Sequence, residues 1–146
     1  MSSKKFTFLK LLLAGTAIGA LIGYLLYNKP HQNVATASAV SVTAVALYNS
    51  FITDTATAGK RYLQQVIQVS GTIKSITSNQ QNQQVLLLQT NTNGASVNCT
   101  MEAAATNTQP GHNIIVKGIC QGLGQADAEL GIAADLYISR CYQVKE

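Results

Sequence analysis

From Tyr62 to Ile76 the chain alternates between apolar and polar residues. Ile67, Val69, Gly71 and Ile73 fall on one face, and Gln68, Ser70, Thr72 and Lys74 on the other. That is the period-2 pattern of a strand buried on one side. The alternation then slips, since Ile76 and not Ser75 is the next apolar position. A slip just past a glycine predicts a long strand that bends or bulges and serves two parts of a curved sheet. Four further strands are expected at Val85–Thr90, Ala95–Met101, Asn113–Cys120 and Leu136–Val144. The third is the cleanest, with Ala95, Val97, Cys99 and Met101 alternating against Ser96, Asn98 and Thr100. The stretch from Thr77 to Gln84 reads as a solvated hairpin loop, Asn91–Gly94 as a turn, and Glu102–Gln109 as a short helix or loop closed by Pro110-Gly111. A Gly- and Ala-rich connection, Gln121–Asp135, precedes the last strand.

Upstream, Ala44, Leu47, Tyr48, Phe51, Ala58 and Tyr62 recur at three- and four-residue spacing. They predict one amphipathic helix that begins at an N-cap, Ser41 or Thr43, and ends or weakens at Gly59. One helix, five short strands and a helical link after the third strand match the order of a five-stranded OB-type barrel. The fold class expected is therefore all-β with helical additions.

The N-terminus is different. Lys4, Lys5 and Lys10 come without an acid, and Leu11–Tyr27 runs 17 residues without a charge. About 20 residues of helix span a hydrocarbon core of about 30 Å, so the run suffices if Lys10 snorkels toward the head groups. Tyr24 and Tyr27 stand where interfacial aromatics collect. The expected organisation is a basic cytoplasmic tail at 1–10, a transmembrane anchor at 11–27, a tether at 28–40 and the barrel domain at 41–146. Positive charge ahead of the span predicts a single-pass protein of the inner (cytoplasmic) membrane, its domain on the periplasmic or extracellular side. A cleaved signal segment with small residues at Ala35-Thr36-Ala37 is the alternative. Gly15, Gly19 and Gly23 line one helical face and suit helix self-association, hence a homodimer through the span.

The composition divides accordingly. The chain is 146 residues, 47% hydrophobic and 11% charged, with a net charge of +4. From Ser38 onward, six basic residues meet six acidic ones. The barrel region is neutral and the basic character belongs to the tail.

Spread along this neutral region are Ala44-x-x-Leu47-Tyr48-x-x-Phe51-x-x-Asp54, Ala58-x-x-x-Tyr62 and Val66-Ile67-x-Val69-Ser70-Gly71. They are followed by Val97-x-Cys99, Pro110-Gly111-x-x-Ile114-x-Val116-Lys117-Gly118-x-Cys120-x-Gly122, and Leu136-x-Ile138-x-x-Cys141. Over residues 42–143 this set resembles the tRNA-anti-like OB-fold family. The resemblance implies a five-stranded OB-type barrel with a preceding helix, carried on exported or membrane-anchored bacterial proteins, and no particular activity. The connection Gln121–Asp135 is longer than the family pattern.

Three cysteines carry the most chemistry. In an exported domain a disulfide is the default. Cys120 and Cys141 flank one hairpin and form the first candidate pair. Cys99 and Cys141, on neighbouring strands of this barrel order, form the second. Parity puts Cys99 inward, leaves Cys120 ambiguous, and turns Cys141 away from Leu136 and Ile138 unless a bulge intervenes. A metal site of these thiols with His112 lacks any Cys-x-x-Cys pair. His31 and His112 lie in a tether and a turn, so no nucleophilic triad can be assembled, and no cofactor is implied. Single-stranded nucleic acid would call for cations and stacking rings, and the outward positions of the first three strands carry no aromatic. The expected function is a non-enzymatic binding module for a protein or small polar ligand. A nucleic-acid-binding OB domain, for single-stranded or tRNA-like partners, is the alternative.

Overall fold

A computed structural model describes residues 18–24, 34–127 and 129–145. The chain divides into two units, Met1–Gln32 and Asn33–Glu146. In the first, residues 18–24 are helical, with Ile18, Leu21, Ile22 and Tyr24 exposed. Among the described residues no helix is long and apolar enough to cross a membrane. Most of the expected span at 11–27, with Gly15, lies outside the described residues. Gly19 and Gly23 fall on the helical segment, with open space where a Cβ would sit.

The second unit is mostly β. Its elements are β1 (Val40–Thr43), α1 (Ala44–Thr53), α2 (Thr55–Tyr62), β2 (Val66–Ser78), β3 (Gln84–Gln89), β4 (Ser96–Met101), β5 (Asn113–Leu123) and β6 (Leu136–Gln143). Strands pair in the order β2-β3-β4-β6-β5, and β5 returns to β2, which closes a five-stranded barrel. Pairings around the ring are antiparallel except β4–β6, which is parallel. This is OB-type order. β1 lies outside the ring and runs parallel to β2, with Val40 opposite Ile67 and Thr43 opposite Ser70. Val40 falls in the expected tether and Ser41–Thr43 at the expected start of the helix. Four residues are too few to show a period, and their partner lies more than twenty residues downstream.

β2 does serve two parts of the sheet. Val66–Thr72 pairs with β5, and Ile73–Ser78 pairs with β3. The register shift falls between Ile73 and Ser75, so Lys74 is the extra residue and not Gly71, whose φ is not left-handed. What Gly71 provides is clearance. A Cβ built there would stand 2.9 Å from Ala44 Cβ and 3.4 Å from Leu88, so the missing side chain seats the start of α1 on the barrel wall.

The single expected helix is two. Asp54 has extended φ of −149°. Its carboxylate accepts from Thr57 N–H at 3.0 Å and Thr57 Oγ1 at 2.6 Å, which caps α2 and breaks the run. Thr43, one of the two anticipated caps, accepts from Ala46 N–H at 3.1 Å. Leu47, Tyr48, Phe51, Ala58 and Tyr62 are buried in the same core as the inward side chains of the strands. A fully buried Leu or Phe contributes about 1.5–3 kcal/mol. Tyr48 Oη donates to Ala134 O at 3.0 Å, joining α1 to the end of the β5–β6 connection. Burial, then the charge of Asp135, pushes the Tyr48 phenol above its ordinary range.

The helical link after the third strand is absent. Residues 102–112 are bends and a turn, because side chains capture their backbone. Ala105 N–H donates to Gln84 Oε1 at 2.7 Å and Thr106 N–H to Gln143 Oε1 at 2.9 Å, while Asn107 turns with φ of +54°.

Candidate functional site

The loop held by Gln84 and Gln143 forms one wall of a groove of about 1130 Å³. Thr43 and Val45 at the start of α1, Ser70–Thr72 on β2 and Gln89–Asn91 after β3 form other parts of it. Asn113–Ile115 on β5 and Gln143–Lys145 at the C-terminal end complete the lining. The geometry follows from the strand ends. β1 stops opposite Ser70 and β3 begins pairing at Ile73, so Gly71 and Thr72 line a gap in the wall between them.

Hydroxyls and carboxamides dominate the lining. Some are fixed. Thr72 Oγ1 donates to Asn113 Oδ1 at 2.7 Å, and the Gln143 amide also donates to Thr106 O at 3.3 Å. The side chains of Ser70, Gln89, Asn91 and Asn107 make no hydrogen bond among the described residues. Lys145 is the single ionised side chain among the lining residues, and none of them is aromatic. Such a surface can exchange donors and acceptors with a neutral polar ligand. No histidine, cysteine, aspartate or glutamate stands among the lining residues.

All three cysteines are free thiols, each fully buried. The expected Cys120–Cys141 bridge is not formed, and neither is Cys99–Cys141. Cys120 follows the inward parity of Ile114, Val116 and Gly118 on β5. Cys141 is turned inward by a bulge: Cys99 pairs with Ile138 but Met101 with Cys141, and Arg140 takes φ of +54°. Cys99 and Cys141 thereby meet. Hydrogen bonding to Cys99, then burial, pushes the Cys141 thiol well above its ordinary range, and burial raises Cys120. These are core thiols, not nucleophiles. His112 sits in the turn before β5, where its carbonyl accepts from Ile73 N–H at 2.9 Å, and His31 lies outside the described residues. Among the described residues no group of three His, Cys, Asp or Glu could hold a metal ion.

One outward aromatic escaped the sequence reading. Tyr137, on β6 opposite Asn98, is 43% exposed and lies over Gly124, where a Cβ would come within 2.6 Å of its ring. Its alternation with buried Leu136 and Ile138 was the available signal.

The family model described as tRNA_anti-like matches residues 2–130. The chain belongs to that family. The match begins earlier than the motif set and stops before β6. It therefore takes in both the N-terminal apolar run and the barrel up to the β5–β6 connection of this tRNA_anti-like chain.

No curated protein matches the chain. Among solved structures, one assigned as an aspartyl-tRNA synthetase from Leishmania major Friedlin aligns at 9% identity and a TM-score of 0.43, over 87% of this chain and 26% of that one. The aspartyl-tRNA synthetase from Entamoeba histolytica aligns at 7% identity and 0.36, over 58% and 19%. The chain thus spans a small part of either, and similarity at this level transfers no ligand and no activity.

Proposed function

We propose that this tRNA_anti-like protein is a membrane-anchored, exported OB-fold module that binds a small polar ligand or protein segment in the groove beside Gly71, without catalysis. The observation that carries this reading is the lining itself, where unpartnered amides and a hydroxyl stand on walls pinned by Gln84, Gln143 and Thr72. Preorganised polar groups of this kind lower the ordering cost of binding. Support for the anchor is the uncharged run Leu11–Tyr27 behind three lysines.

A photo-crosslinking phenylalanine analogue placed at Asn107 in cells tests the groove, with the same residue at Gln81, in the turn between β2 and β3 and outside the lining, as control. Adducts from position 107 and not from 81 are expected. No adduct from 107, or equal yields from both, overturns the reading. A reporter fused after Glu146 tests the address, and activity of that fusion in the cytoplasm would refute export.

Tyr137 favours a second reading, single-stranded nucleic acid stacked on the outer face of β6. It requires binding that weakens steeply with salt and falls on Tyr137→Ala.

A further inference from the structure

Taking the groove as the binding site, we infer that its ligand is an oligosaccharide bearing one carboxylate. The inference rests on which lining groups are spent and which remain.

Fixed groups set the shape. The Gln143 amide takes Thr106 from both sides, and Thr72 holds Asn113 by its amide oxygen, so the Asn113 amide nitrogen is left to donate. Open groups set the chemistry. Gln89, Asn91 and Asn107 are exposed carboxamides, each with a donor and an acceptor on one rigid plane. Adjacent saccharide hydroxyls, which both donate and accept, complement such planes directly. Asn107 is held at φ of +54° on a loop tied to Gln84 and Gln143, so its backbone is placed before any ligand arrives and its exposed amide stays open to pair with one.

The competing classes fit less well. A nucleic-acid strand brings a phosphate at every nucleotide and asks for several cations and stacking rings. The lining has Lys145 and no ring. An extended peptide asks for apolar pockets at alternate positions; Ala44 and Ile114 are turned into the core, and the apolar surface left to the lining, at Val45, Ile115 and Val144, is divided among amides and hydroxyls. A single ammonium among neutral amides answers one negative charge, which a saccharide can supply as a carboxylate.

The test uses the full-length chain in nanodiscs on an array of neutral and carboxylated oligosaccharides, with tetra-alanine and oligo-dT spotted alongside. Carboxylated glycans are expected to be retained. With the tightest of them in solution, Lys145→Gln should weaken binding about tenfold, the scale of one charge-assisted hydrogen bond, and bring it to the level of the neutral analogue. Asn107→Gly, which keeps the left-handed turn and removes the amide, should weaken both by a similar factor with the circular dichroism unchanged. Retention of tetra-alanine or oligo-dT with no glycan, while position 107 still yields crosslinks in cells, overturns the saccharide class and leaves the groove standing. Glycan binding that neither substitution alters overturns the assignment to this groove. Loss of the crosslinks themselves refutes the underlying reading instead.

Discussion

Cys141 fills the space that a side chain at Gly118 would need. A Cβ built on Gly118 would lie 2.7 Å from Cys141 Sγ, 2.7 Å from Ile138 Cγ2 and 2.9 Å from Ser139 O. The bulge in β6 is thus accommodated by bare backbone on β5. Gly118→Ala should cost about 1–3 kcal/mol, the range for overpacking, read as a lower urea midpoint by tyrosine fluorescence. Adding Cys141→Ala should recover only part of the loss, because the Ser139 carbonyl cannot rotate away as a side chain can. Full recovery would show that the thiol alone sets the clearance.

Gly71→Val should destabilise by a similar amount, about 1–3 kcal/mol, through collision with Ala44 Cβ rather than through backbone conformation. Ser70→Val, one position earlier and half-buried, should be near neutral. Ala44→Gly in the Gly71→Val background should restore stability. Equal urea midpoints for the Gly71 and Ser70 variants would remove the seat proposed for α1.

Thiol counting separates the structure from the disulfide expectation. Native protein should react slowly with a maleimide at all three cysteines, and unfolded, unreduced protein should yield three modified thiols by mass. A yield of one would restore the bridge expected from sequence.

Asp54 accepts from the Thr57 hydroxyl and backbone, which holds its carboxyl below the usual carboxylate range. The folded value lies beneath the unfolded value of about 3.9. Its contribution to stability is therefore complete above the unfolded value and fades as pH falls through the folded one. Asp54→Asn should flatten the acid limb of helix content followed by far-ultraviolet circular dichroism. An unchanged acid limb would mean that other carboxylates govern it.

How much of this was legible in the sequence depends on the range of the signal. The alternation in β2 and β4 shows directly, because one buried face imposes period 2 over six residues or more. Thr43 was available as a cap, and the two-part duty of β2 followed from its slip. Asp54 was visible but read as helix interior, because the apolar spacing continues past it to Ala58 and Tyr62. The inward turn of Cys141 depends on Arg140 in a conformation that glycine or asparagine would have advertised and arginine does not. The groove left no motif. Its amides come from four separate stretches of chain and are brought together only by barrel closure, and the residue types involved are common in any solvated loop.

The placement of β1 has a mechanical consequence. Residues just upstream of 40 meet the barrel where Lys117 Nζ donates to Ala35 O at 3.2 Å, and the chain then enters β1, whose four pairs with β2 run parallel. Tension arriving from the N-terminal side acts along that ladder, where its hydrogen bonds share the load together and do not open one at a time. The Thr43 cap and the seat of Ala44 on Gly71 come next in series, ahead of every strand of the closed ring. A strong enough pull from that side would therefore release Ala35 from Lys117, then strip β1 and lift α1, uncovering the gap beside Gly71 while the five-stranded ring stays shut.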